Sequence, residues 1–456
     1  MLGTKIGAVG LGWRRELAAD LLARRESVDF VEVIAETCFT QSTQRREAVA
    51  LSHIWTVIPH GVKLSLGSAE GVDEGKAQRL GALARELRAP FITEHVALTS
   101  AGGTEIGHLT QLPRTRLAVE VVARNVDRVR RHLPDVPLVL ENIAWTLRWP
   151  DDEMREEDFY AEIAQATGCP MLIDLGNLYA NAVNEGRDPF EVLRAYPLDR
   201  VAMVHIAGGH TDGGFYFDDH ASPVPDGVFA LLEALVAERG AMPVLLERDA
   251  NYPPFDELVG ELSRARSICV AASGQRVVTP NAPRPVDGAR VAGDSVERYA
   301  AAQGALARTL ITRETADGGF DANDLVRARA VLERKRVDDA LPLLARLAPH
   351  GRRIEEAALR AVAAHPRAAR GAALTDAWRI AVEAERDPVM AADARVDLLV
   401  LRARFKLPSR PDEAVTERST PFIGTAASRG GARVWAVKGV GASARVRIYE
   451  RQTWQR

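Results

Sequence analysis

The first 270 residues alternate short apolar segments with longer amphipathic ones. The short segments have the β-branched composition of buried strands, and the longer ones repeat their apolar positions with the period of a helix. The eight apolar segments are KIGAVG, FVEVIAE, TVIPH, PFITEHVAL, PLVLEN, PMLIDLG, VAMVHIAG and PVLLERD. The amphipathic segments between and after them include residues 15–24, 76–88, 116–131, 158–167, 228–239 and 255–270. This alternation predicts an α/β fold, a (β/α)8 TIM barrel of parallel strands with outer helices.

An open doubly wound sheet is the main alternative to the barrel. Its usual mark is a Gly-x-Gly-x-x-Gly segment that opens a helix after the first strand. Gly7, Gly10 and Gly12 in GAVGLGW match that spacing only loosely. We therefore predict that these three glycines belong to a loop of the first strand and bind no dinucleotide.

The pattern changes after residue 270. Residues 271–294 are rich in proline and glycine and predict a linker between a barrel domain, 1–270, and a C-terminal domain, 295–456. Six later segments have a helical period: VERYAAAQGALARTL, ANDLVRARAVLERKR, VDDALPLLARLA, IEEAALRAVAAH, AWRIAVEA and ADARVDLLVLRARF. The last segment, ARVWAVKGVGASARVRIYERQ, predicts a β-hairpin around its Gly-Val-Gly turn. The C-terminal domain is thus expected to be mostly helical with a terminal hairpin.

Composition and charge exclude several classes of protein. Of the 456 residues, 46% are hydrophobic and 27% charged, which is ordinary for a globular chain. The net charge of −3 conceals a division, because residues 281–456 carry 31 Lys and Arg against 22 Asp and Glu. The first 280 residues are therefore acidic, and no nucleic-acid partner is expected there. The basic runs at 334–336 and 351–353 predict solvated helix faces, or alternatively a dock for an acidic leader peptide.

Cysteine usage and hydropathy bear on the compartment. Cys38, Cys169 and Cys269 form no C-x-x-C pair and cannot supply a disulfide framework. Free thiols are typical of reducing compartments, so a cytoplasmic localisation is predicted. The N-terminus reaches two arginines before any long apolar stretch, and no run of about 18 apolar residues occurs. Neither a signal peptide nor a membrane association is expected.

Acidic and imidazole side chains end most of the predicted strands. The strand-terminal residues are His60, His95, Glu141, Asp174, His205 and Glu247, and Asn177, Asp218 and His220 follow in loops. Each alone has a structural interpretation, as a hydrogen-bonded histidine or a helix cap. Together they predict a metal cluster, because strand ends converge in a barrel and crowded carboxylates and imidazoles need a balancing cation. Such ligands without thiolate suit iron, manganese or zinc.

A series of ordered motifs resembles one known family. These motifs are GLGWRREL, HGVKLSLGS, TEHVAL, LTQLPRT, LEN, IDLGNLYANAVNEG, VHIAGGH, DDHASPVPDGVF and LLERDANYP, from Gly10 to about Pro254. They resemble the multinuclear non-heme iron-dependent oxidative enzymes, relatives of the methanobactin-biosynthesis iron enzyme. The resemblance implies a barrel of the xylose-isomerase type that binds two or three irons. It further implies that O2 is the co-substrate for oxidising residues, frequently cysteines, of ribosomally made precursor peptides.

The resemblance also implies three sets of ligands. The first metal would be held by His60, His95 and Glu141; the second by Glu141, Asp174, His205 and Glu247; the third by Asn177, Asp218 and His220. The chain departs from the family pattern at Gly176 in IDLGN and in HIAGGH, which has one extra glycine. We assign His210, just after that glycine, as the candidate catalytic residue, either for proton handling or for supporting the metal ligands.

The predicted function is iron- and O2-dependent oxidation of a precursor-peptide residue in natural-product biosynthesis. Two alternatives remain open: a divalent-metal isomerase or phosphoesterase of the xylose isomerase and endonuclease IV type, and a non-catalytic peptide-binding scaffold. Such enzymes commonly use a separate partner protein to recognise the leader peptide. The basic C-terminal domain is predicted to supply that role here, with its terminal hairpin accepting an extended peptide by strand addition. Two alternatives stay open: a separate partner protein, and a helical C-terminal domain that only caps the barrel.

Overall fold

Eight parallel strands close into a barrel in the computed structural model. Each strand pairs with its neighbour in chain order, and the eighth pairs with the first. The barrel strands are Val9–Gly12, Phe30–Ile34, Thr56–Gly61, Ile92–His95, Leu138–Glu141, Met171–Asp174, Val201–Ile206 and Val244–Leu246. The predicted TIM barrel is confirmed, and closure of the sheet excludes the doubly wound alternative.

The structure describes residues 7–272, 293–312, 318–368, 371–407, 415–429, 431–441 and 445–451. The chain divides into two compact units, one of residues 1–103 with 109–304 and one of residues 104–108 with 305–456. The predicted linker, 271–294, lies outside the described residues except at 271–272 and 293–294, and a helix already begins at Gly293. The domain boundaries proposed from sequence therefore stay predictions.

The first strand differs from its prediction, because Gly10 and Gly12 lie within it rather than in a loop. A Cβ on Gly10 would lie 2.4 Å from the ring of Phe30 on the neighbouring strand. Phe30 is fully buried in the barrel core, and its ring fills the space that a side chain at position 10 would need, so this position requires glycine. Gly7, at φ 71°, lies in the turn before the strand.

The outer helices follow the predicted amphipathic segments, with additions. They are Ala18–Ala23, Thr43–Leu51, Glu74–Leu87, Arg116–Arg130, Glu156–Thr167, Leu175–Glu185, Pro189–Ala195, Asp226–Arg239 and Phe255–Ala271. Thr43–Leu51, Leu175–Glu185 and Pro189–Ala195 were not among the predicted helices. The residue before each of these three helices is nevertheless a typical N-terminal cap. The side chains of Ser42, Asp174 and Asp188 each accept a hydrogen bond from a backbone N–H in the first turn of the helix.

Two hairpins extend from loops of the barrel. Leu98–Ala101 pairs with Thr104–Thr110 after the fourth strand, and His210–Asp212 pairs with Phe215–Phe217 after the seventh. The second hairpin carries a cluster of aromatic rings, in which Phe215 and Phe217 lie 4.9 Å apart. Both hairpins leave from the carboxyl ends of strands, the end at which TIM barrels place their sites.

Residues 293–304 belong to the first unit, although residues 295–304 were predicted to begin the C-terminal domain. The fully buried Gln303 donates from Nε2 to Gly67 O at 2.7 Å and accepts at Oε1 from Ala69 N at 2.9 Å. Tyr299 meets Trp149 edge to face, with ring centroids 6.4 Å apart. The beginning of helix Gly293–Thr312 thus completes the hydrogen bonding of the loop after the third barrel strand.

The second unit is mostly helical, as predicted. Its helices are the end of Gly293–Thr312 and Ala322–Ala340, Arg352–Ala363, Ala372–Ala384 and Ala391–Arg404. The segment VDDALPLLARLA is not a helix of its own: residues 337–340 end the preceding helix, and the following 3-10 turn, Leu341–Leu343, contains Pro342. Proline cannot donate the backbone hydrogen bond that a continuing helix requires.

The terminal hairpin is confirmed and is part of a larger sheet. Arg433–Lys438 pairs with Val446–Arg451, and Phe422–Ala427 adds a third antiparallel strand on the other side of Arg433–Lys438. Phe405–Lys406 and Thr416–Glu417 form a separate two-stranded ladder. The inner face of the three-stranded sheet packs on helix Ala391–Arg404 through a small apolar cluster that includes Leu399.

Arg336 contradicts the prediction that residues 334–336 form a solvated face. Its side chain is buried and binds Asp376 through Nε at 2.8 Å and Nη2 at 2.7 Å. Nη1 donates to the carbonyl oxygens of Val362 and His365 at 2.8 and 3.0 Å. This guanidinium therefore joins three helical segments of the second unit, and the helical period alone could not show which arginine points inward.

We expect Arg336→Met to lower the free energy of unfolding by about 3–5 kcal/mol, because it leaves the buried Asp376 carboxylate without that partner. Arg334→Met is the matched control. Arg334 lies two residues away, is half exposed and pairs with Glu355 at 3.4 Å, so its loss should cost less than about 1 kcal/mol. Denaturant unfolding of both full-length variants, followed by circular dichroism, measures the difference; equal stabilities would contradict the prediction.

Among the residues that the structure describes, no helix combines the length and apolarity needed to cross a membrane. Cys38, Cys169 and Cys269 are all buried as free thiols. Burial raises the pKa of each of these three thiols, so none has the environment of a reactive thiolate. The cytoplasmic localisation stays a prediction.

Candidate metal centre

The carboxyl ends of the barrel strands bring most of the predicted ligands together. Six of them lie within one residue of the ends of the third to eighth strands: His60, His95, Glu141, Asp174, His205 and Glu247. Each of the six is at most 7% exposed. The strand register places His95 beside Glu141 and Asp174 beside His205. These side chains therefore meet at one end of the barrel.

Glu141 faces two groups of possible ligands with its two carboxylate oxygens. Oε2 lies 3.4 Å from His95 Nε2 and 3.7 Å from His60 Nδ1. Oε1 lies 3.2 Å from His205 Nδ1. His60, His95 and Glu141 form a first group whose potential ligand atoms all lie within 4.8 Å of one another. A carboxylate in this position could bind one ion through each oxygen.

Two further groups adjoin the first. Glu141, Asp174, His205 and Glu247 form the second group, and Asp174, Asp218 and His220 form the third. Glu247 Oε2 lies 3.4 Å from His205 Nδ1 and 3.3 Å from His220 Nδ1. His220 Nε2 lies 3.0 Å from Asp218 Oδ2. Because Glu141 and Asp174 each belong to two groups, the three groups form one continuous cluster.

The loop that carries Asp218 and His220 is held by close backbone approach. A Cβ on Gly208 would lie 2.1 Å from Pro223 O, and one on Gly209 would lie 2.0 Å from Phe217 O. His220 itself has φ 56°, a left-handed conformation that costs a non-glycine residue about 1–3 kcal/mol. The double glycine of HIAGGH therefore has a structural reason: it admits the loop that brings His220 to the cluster.

Several buried atoms of the cluster make no hydrogen bond within the described part of the chain. They are Glu141 Oε2, Asp174 Oδ2, Asp218 Oδ1 and both ring nitrogens of His205. Leaving a buried polar atom unsatisfied costs about 1–3 kcal/mol or more for a charged group. A bound cation would satisfy these atoms together, so this donor set of carboxylates and imidazoles fits a metal cluster.

The pKa values of the clustered carboxylates and imidazoles are shifted by the same crowding. Burial raises the pKa of Glu141 and, together with the charge of Asp218, raises the pKa of Asp174 to about 7. Burial lowers the pKa of His95 to about 4. Burial also opposes protonation of His205, but the carboxylates around it, Glu32 first, raise its pKa well above the usual value. Without a cation, protons would thus partly neutralise the carboxylates.

Backbone and side-chain contacts orient the histidines. His95 Nδ1 lies 3.3 Å from Gly61 O, which leaves Nε2 directed at Glu141. His60 Nδ1 lies 2.9 Å from Thr93 Oγ1, and Thr93 in turn donates to Glu32 Oε2 at 3.3 Å. His95 thus has, on its far ring nitrogen, the second partner that fixes the tautomer and orientation of metal-binding histidines. In His60 the nitrogen that contacts Thr93 is the same one that lies 3.7 Å from Glu141 Oε2.

Two buried carboxylates beside the cluster were not among the predicted residues. Glu32 is 3% exposed and lies 3.5 Å from His205 Nε2. Glu94 is 1% exposed and accepts from the backbone N–H of His95 at 3.0 Å. The signal for Glu32 was present in FVEVI, where a carboxylate interrupts an apolar strand. It was missed because it lies in the middle of the strand rather than at its end.

Asn177 lies near the cluster, in the first turn of helix Leu175–Glu185 rather than in the predicted loop, and uses its amide elsewhere. Its Oδ1 accepts from Ala144 N at 2.9 Å, and its Nδ2 donates to Asn142 O at 3.1 Å. Its backbone N–H donates to Asp174 Oδ1 at 2.7 Å. These contacts hold the loop after Glu141 against helix Leu175–Glu185. The predicted ligand role of Asn177 stays a prediction, and its observed contacts are those of a residue that positions Glu141 and Asp174.

His210, the predicted catalytic residue, lies outside the three groups. It begins the hairpin strand His210–Asp212, its side chain is 50% exposed, and its Nδ1 lies 2.9 Å from Asp219 Oδ2. Its ring stacks on Phe217 with centroids 5.6 Å apart. Asp219 directly follows Asp218 in the chain, so His210 adjoins the loop of the third group. A catalytic role for His210 stays a prediction.

A buried glutamate supports the loop after Glu141. Asn181 donates from Nδ2 to Ile143 O at 2.9 Å and to Glu156 Oε2 at 2.8 Å. Tyr196 donates its hydroxyl to Glu156 Oε1. Burial raises the pKa of Glu156 to about 7, against the lowering effect of these hydrogen bonds. Glu156 thus helps to fix the backbone that follows Glu141, the ligand candidate shared by the first two groups. Glu156 itself lies outside the cluster.

The raised pKa of Glu156 predicts a pH-dependent stability. The unfolded chain loses this proton near pH 4.5 and the folded chain near pH 7, so stability falls as the pH rises between these values. We therefore expect the free energy of unfolding of Glu156→Gln minus that of wild type to increase by about 3 kcal/mol when the pH is raised from 4.5 to 8. Denaturant unfolding at both pH values measures it. Glu191→Gln, which removes an exposed carboxylate of helix Pro189–Ala195, is the control; a Glu156 variant that follows this control would contradict the prediction.

Related proteins match the barrel. A UPF0276 protein of Streptomyces avermitilis is 41% identical over 268 residues, which are 56% of this chain and 54% of that protein. The chain thus spans about half the length of this relative. A UPF0276 protein of Caulobacter vibrioides is 37% identical over 260 residues, which are 57% of this chain and 92% of that protein.

Solved structures with a similar chain path are more distant. The crystal structure of endonuclease IV from Thermus thermophilus aligns over 58% of this chain and 99% of that chain, with TM-score 0.39 and 17% identity. A xylose isomerase domain protein from Planctomyces limnophilus aligns over 59% of this chain and 98% of that chain, with the same TM-score and identity. Neither similarity is close enough to indicate what this chain does.

The family itself is shown by a match to the barrel unit. Residues 8–270 match the model of the family described as RiPP precursor modification enzyme MbnB/TglH/ChrH. The match covers more than half of the chain and contains every residue of the three groups. The family resemblance predicted from the ordered motifs is confirmed: this chain belongs to the MbnB/TglH/ChrH family of RiPP precursor modification enzymes.

Proposed function

We propose that the protein binds two or three iron ions at the barrel mouth and uses O2 to oxidise a residue, such as a cysteine, of a ribosomally made precursor peptide. The observation that carries this proposal is the continuous cluster in which Glu141 and Asp174 each belong to two groups. Membership in a family of precursor-modifying enzymes supports the peptide as substrate. When bound, iron would supply the redox chemistry.

The residues that would hold the ions follow from the three groups. His60, His95 and Glu141 would hold one; Glu141, Asp174, His205 and Glu247 a second; Asp174, Asp218 and His220 a third. The donor set contains four carboxylates, which neutralise two divalent ions. The buried carboxylates Glu32 and Glu94 beside the donor set would add negative charge to balance a further ion. The burial of the first two groups would keep bulk water from the bound ions and from a substrate group, such as a thiolate, that reaches them.

The experiment that tests this function measures metal, oxygen and peptide mass together. A short peptide encoded beside the gene is co-expressed or added to protein purified under anaerobic conditions. We expect more than one iron per chain, and a change in peptide mass that requires O2. His53→Ala removes an exposed histidine outside the cluster and should keep full metal content, whereas His95→Ala should lose metal. Stoichiometric zinc with no oxygen uptake would overturn the proposal and favour a hydrolase or isomerase.

A further inference from the structure

The terminal three-stranded sheet has one face that packs on the helical unit and one that does not. Side chains alternate between the faces along each strand. The inward set includes Val434 and Ala436, which are fully buried against helix Ala391–Arg404. The outward set includes Ile423, Trp435 and Tyr449, whose exposed fractions are 70%, 38% and 52%. An aromatic and aliphatic surface of this kind on an otherwise charged unit commonly marks an interaction site.

The strand register arranges the outward side chains in three parallel rows. The middle row contains Trp435 opposite Tyr449. One flanking row contains Arg433 opposite Arg451, and the other contains Arg447 in line with Ile423 across the central strand. None of the three rows contains an acidic side chain. The face is therefore an aromatic band between two rows that carry arginine, here called the cationic bands: one contains two arginines, and the other contains one arginine beside Val437 and Ile423.

The spacing of these bands specifies a ligand pattern. Successive rows are two residues apart along a strand, or about 7 Å, so the two cationic bands lie about 13 Å apart. An extended peptide spans the same distance between residues i and i+4, and its residue i+2 faces the same side. Acidic residues at i and i+4 would thus meet the arginine rows while an apolar residue at i+2 meets Trp435 and Tyr449.

We propose that this face binds an extended acidic peptide segment with an apolar residue midway between two carboxylates. This proposal rests on the proposed function only in taking a peptide as the substrate. It adds where on the protein that peptide is recognised and which sequence pattern is recognised. The exposed arginines Arg433, Arg447 and Arg451 supply the charge complementarity. The recognised segment would be a part of the precursor other than the oxidised residue.

A single-stranded nucleic acid is the other polyanion that such a surface could attract. Proteins that bind single strands stack successive bases on aromatic side chains spread along a basic groove. Here both aromatic side chains, Trp435 and Tyr449, share one row. The face offers a single stacking position, which favours the peptide.

The test uses the full-length, metal-free protein, so that its result does not depend on iron or turnover. The probe is a fluorescein-labelled seven-residue peptide with glutamate at positions two and six and leucine at position four. We expect saturable binding by fluorescence polarisation that weakens with added salt. The double variant Arg433→Glu/Arg447→Glu should lower the affinity at least about tenfold. The double variant Arg352→Glu/Arg353→Glu, on the exposed start of a helix of the same unit, is the control and should bind like wild type.

Two further probes decide the pattern and the ligand class. A peptide of the same composition with the glutamates moved to adjacent positions should bind more weakly, because only one cationic band can then be engaged. Trp435→Ala should weaken binding of the original peptide while circular dichroism shows an unchanged fold. Absence of saturable binding, equal binding by the charge-reversed variant, or tighter binding of an oligothymidine than of the peptide would each overturn the proposal.

Discussion

The Glu141→Gln variant is expected to retain at most one metal ion per chain and to modify the precursor peptide at least about 100-fold more slowly than wild type. Glutamine keeps the shape of the side chain but removes the negative charge. Because the two oxygens of Glu141 face two separate groups, the substitution would weaken both of them at once. Only the third group, with Asp174, Asp218 and His220, would keep all its ligands.

Metal analysis and a peptide mass assay on the same preparation measure this effect. Asn177→Ala is the comparison, because Asn177 uses its amide for backbone hydrogen bonds and is neutral. We expect the Asn177 variant to lose less metal and less activity than the Glu141 variant. Circular dichroism and thermal unfolding establish that both variants fold. A folded Glu141→Gln protein with full metal content would refute the shared role of this carboxylate.

The Gly208→Ala variant should bind less metal than wild type, through disruption of the group of Asp174, Asp218 and His220, while all nine predicted ligands remain in the chain. Its new Cβ would lie 2.1 Å from Pro223 O and 2.4 Å from Ser222 O, far inside van der Waals contact with backbone atoms. Either the seventh strand or the loop with Asp218 and His220 must move. Overpacking of this kind costs about 1–3 kcal/mol, and a ligand displaced by 1 Å no longer binds well.

The control for this prediction is Gly260→Ala. Gly260 lies in the exposed part of helix Phe255–Ala271, and nothing lies within 4 Å of the position of a Cβ there. Alanine at this site should therefore leave metal content unchanged and raise stability by up to about 1 kcal/mol. Metal stoichiometry of the two variants, measured with thermal unfolding, gives the comparison. A Gly208→Ala protein with the metal content of Gly260→Ala would show that the loop tolerates the displacement.

The sequence predicted the barrel and the positions of most cluster residues for one physical reason. A parallel barrel directs all strand ends to one side, so a histidine or acid that ends an apolar segment can be placed without coordinates. Glu141 and His205 were predicted on this basis. Glu32 was missed because it lies within its strand, and Gly10 was misassigned because a glycine that makes room for a neighbouring ring looks like a turn residue.

Other features depend on tertiary contacts, which cannot be predicted from a short stretch of sequence. The hydrogen bonds of the Asn177 amide to the loop after Glu141 depend on how helix Leu175–Glu185 meets that loop, and that helix was not predicted. The third strand of the terminal sheet, Phe422–Ala427, reads FIGTAA and lacks the apolar alternation that identifies a strand. Its pairing is what turns a hairpin into a sheet with an open face. The inward direction of Arg336 is likewise set by tertiary packing.

The hydrogen bonds of Gln303 have a consequence for how the chain is made. Gln303 satisfies Gly67 O and Ala69 N, and 234 residues separate Ala69 from Gln303. At synthesis rates of about 5–20 residues per second, the loop after the third strand leaves the ribosome on the order of ten seconds or more before Gln303 exists. Until then water must hydrate those backbone groups. The loop after the third strand therefore lacks these two partners until Gln303 has been synthesised, and a chain released at residue 270, the end of the family match, would never acquire them.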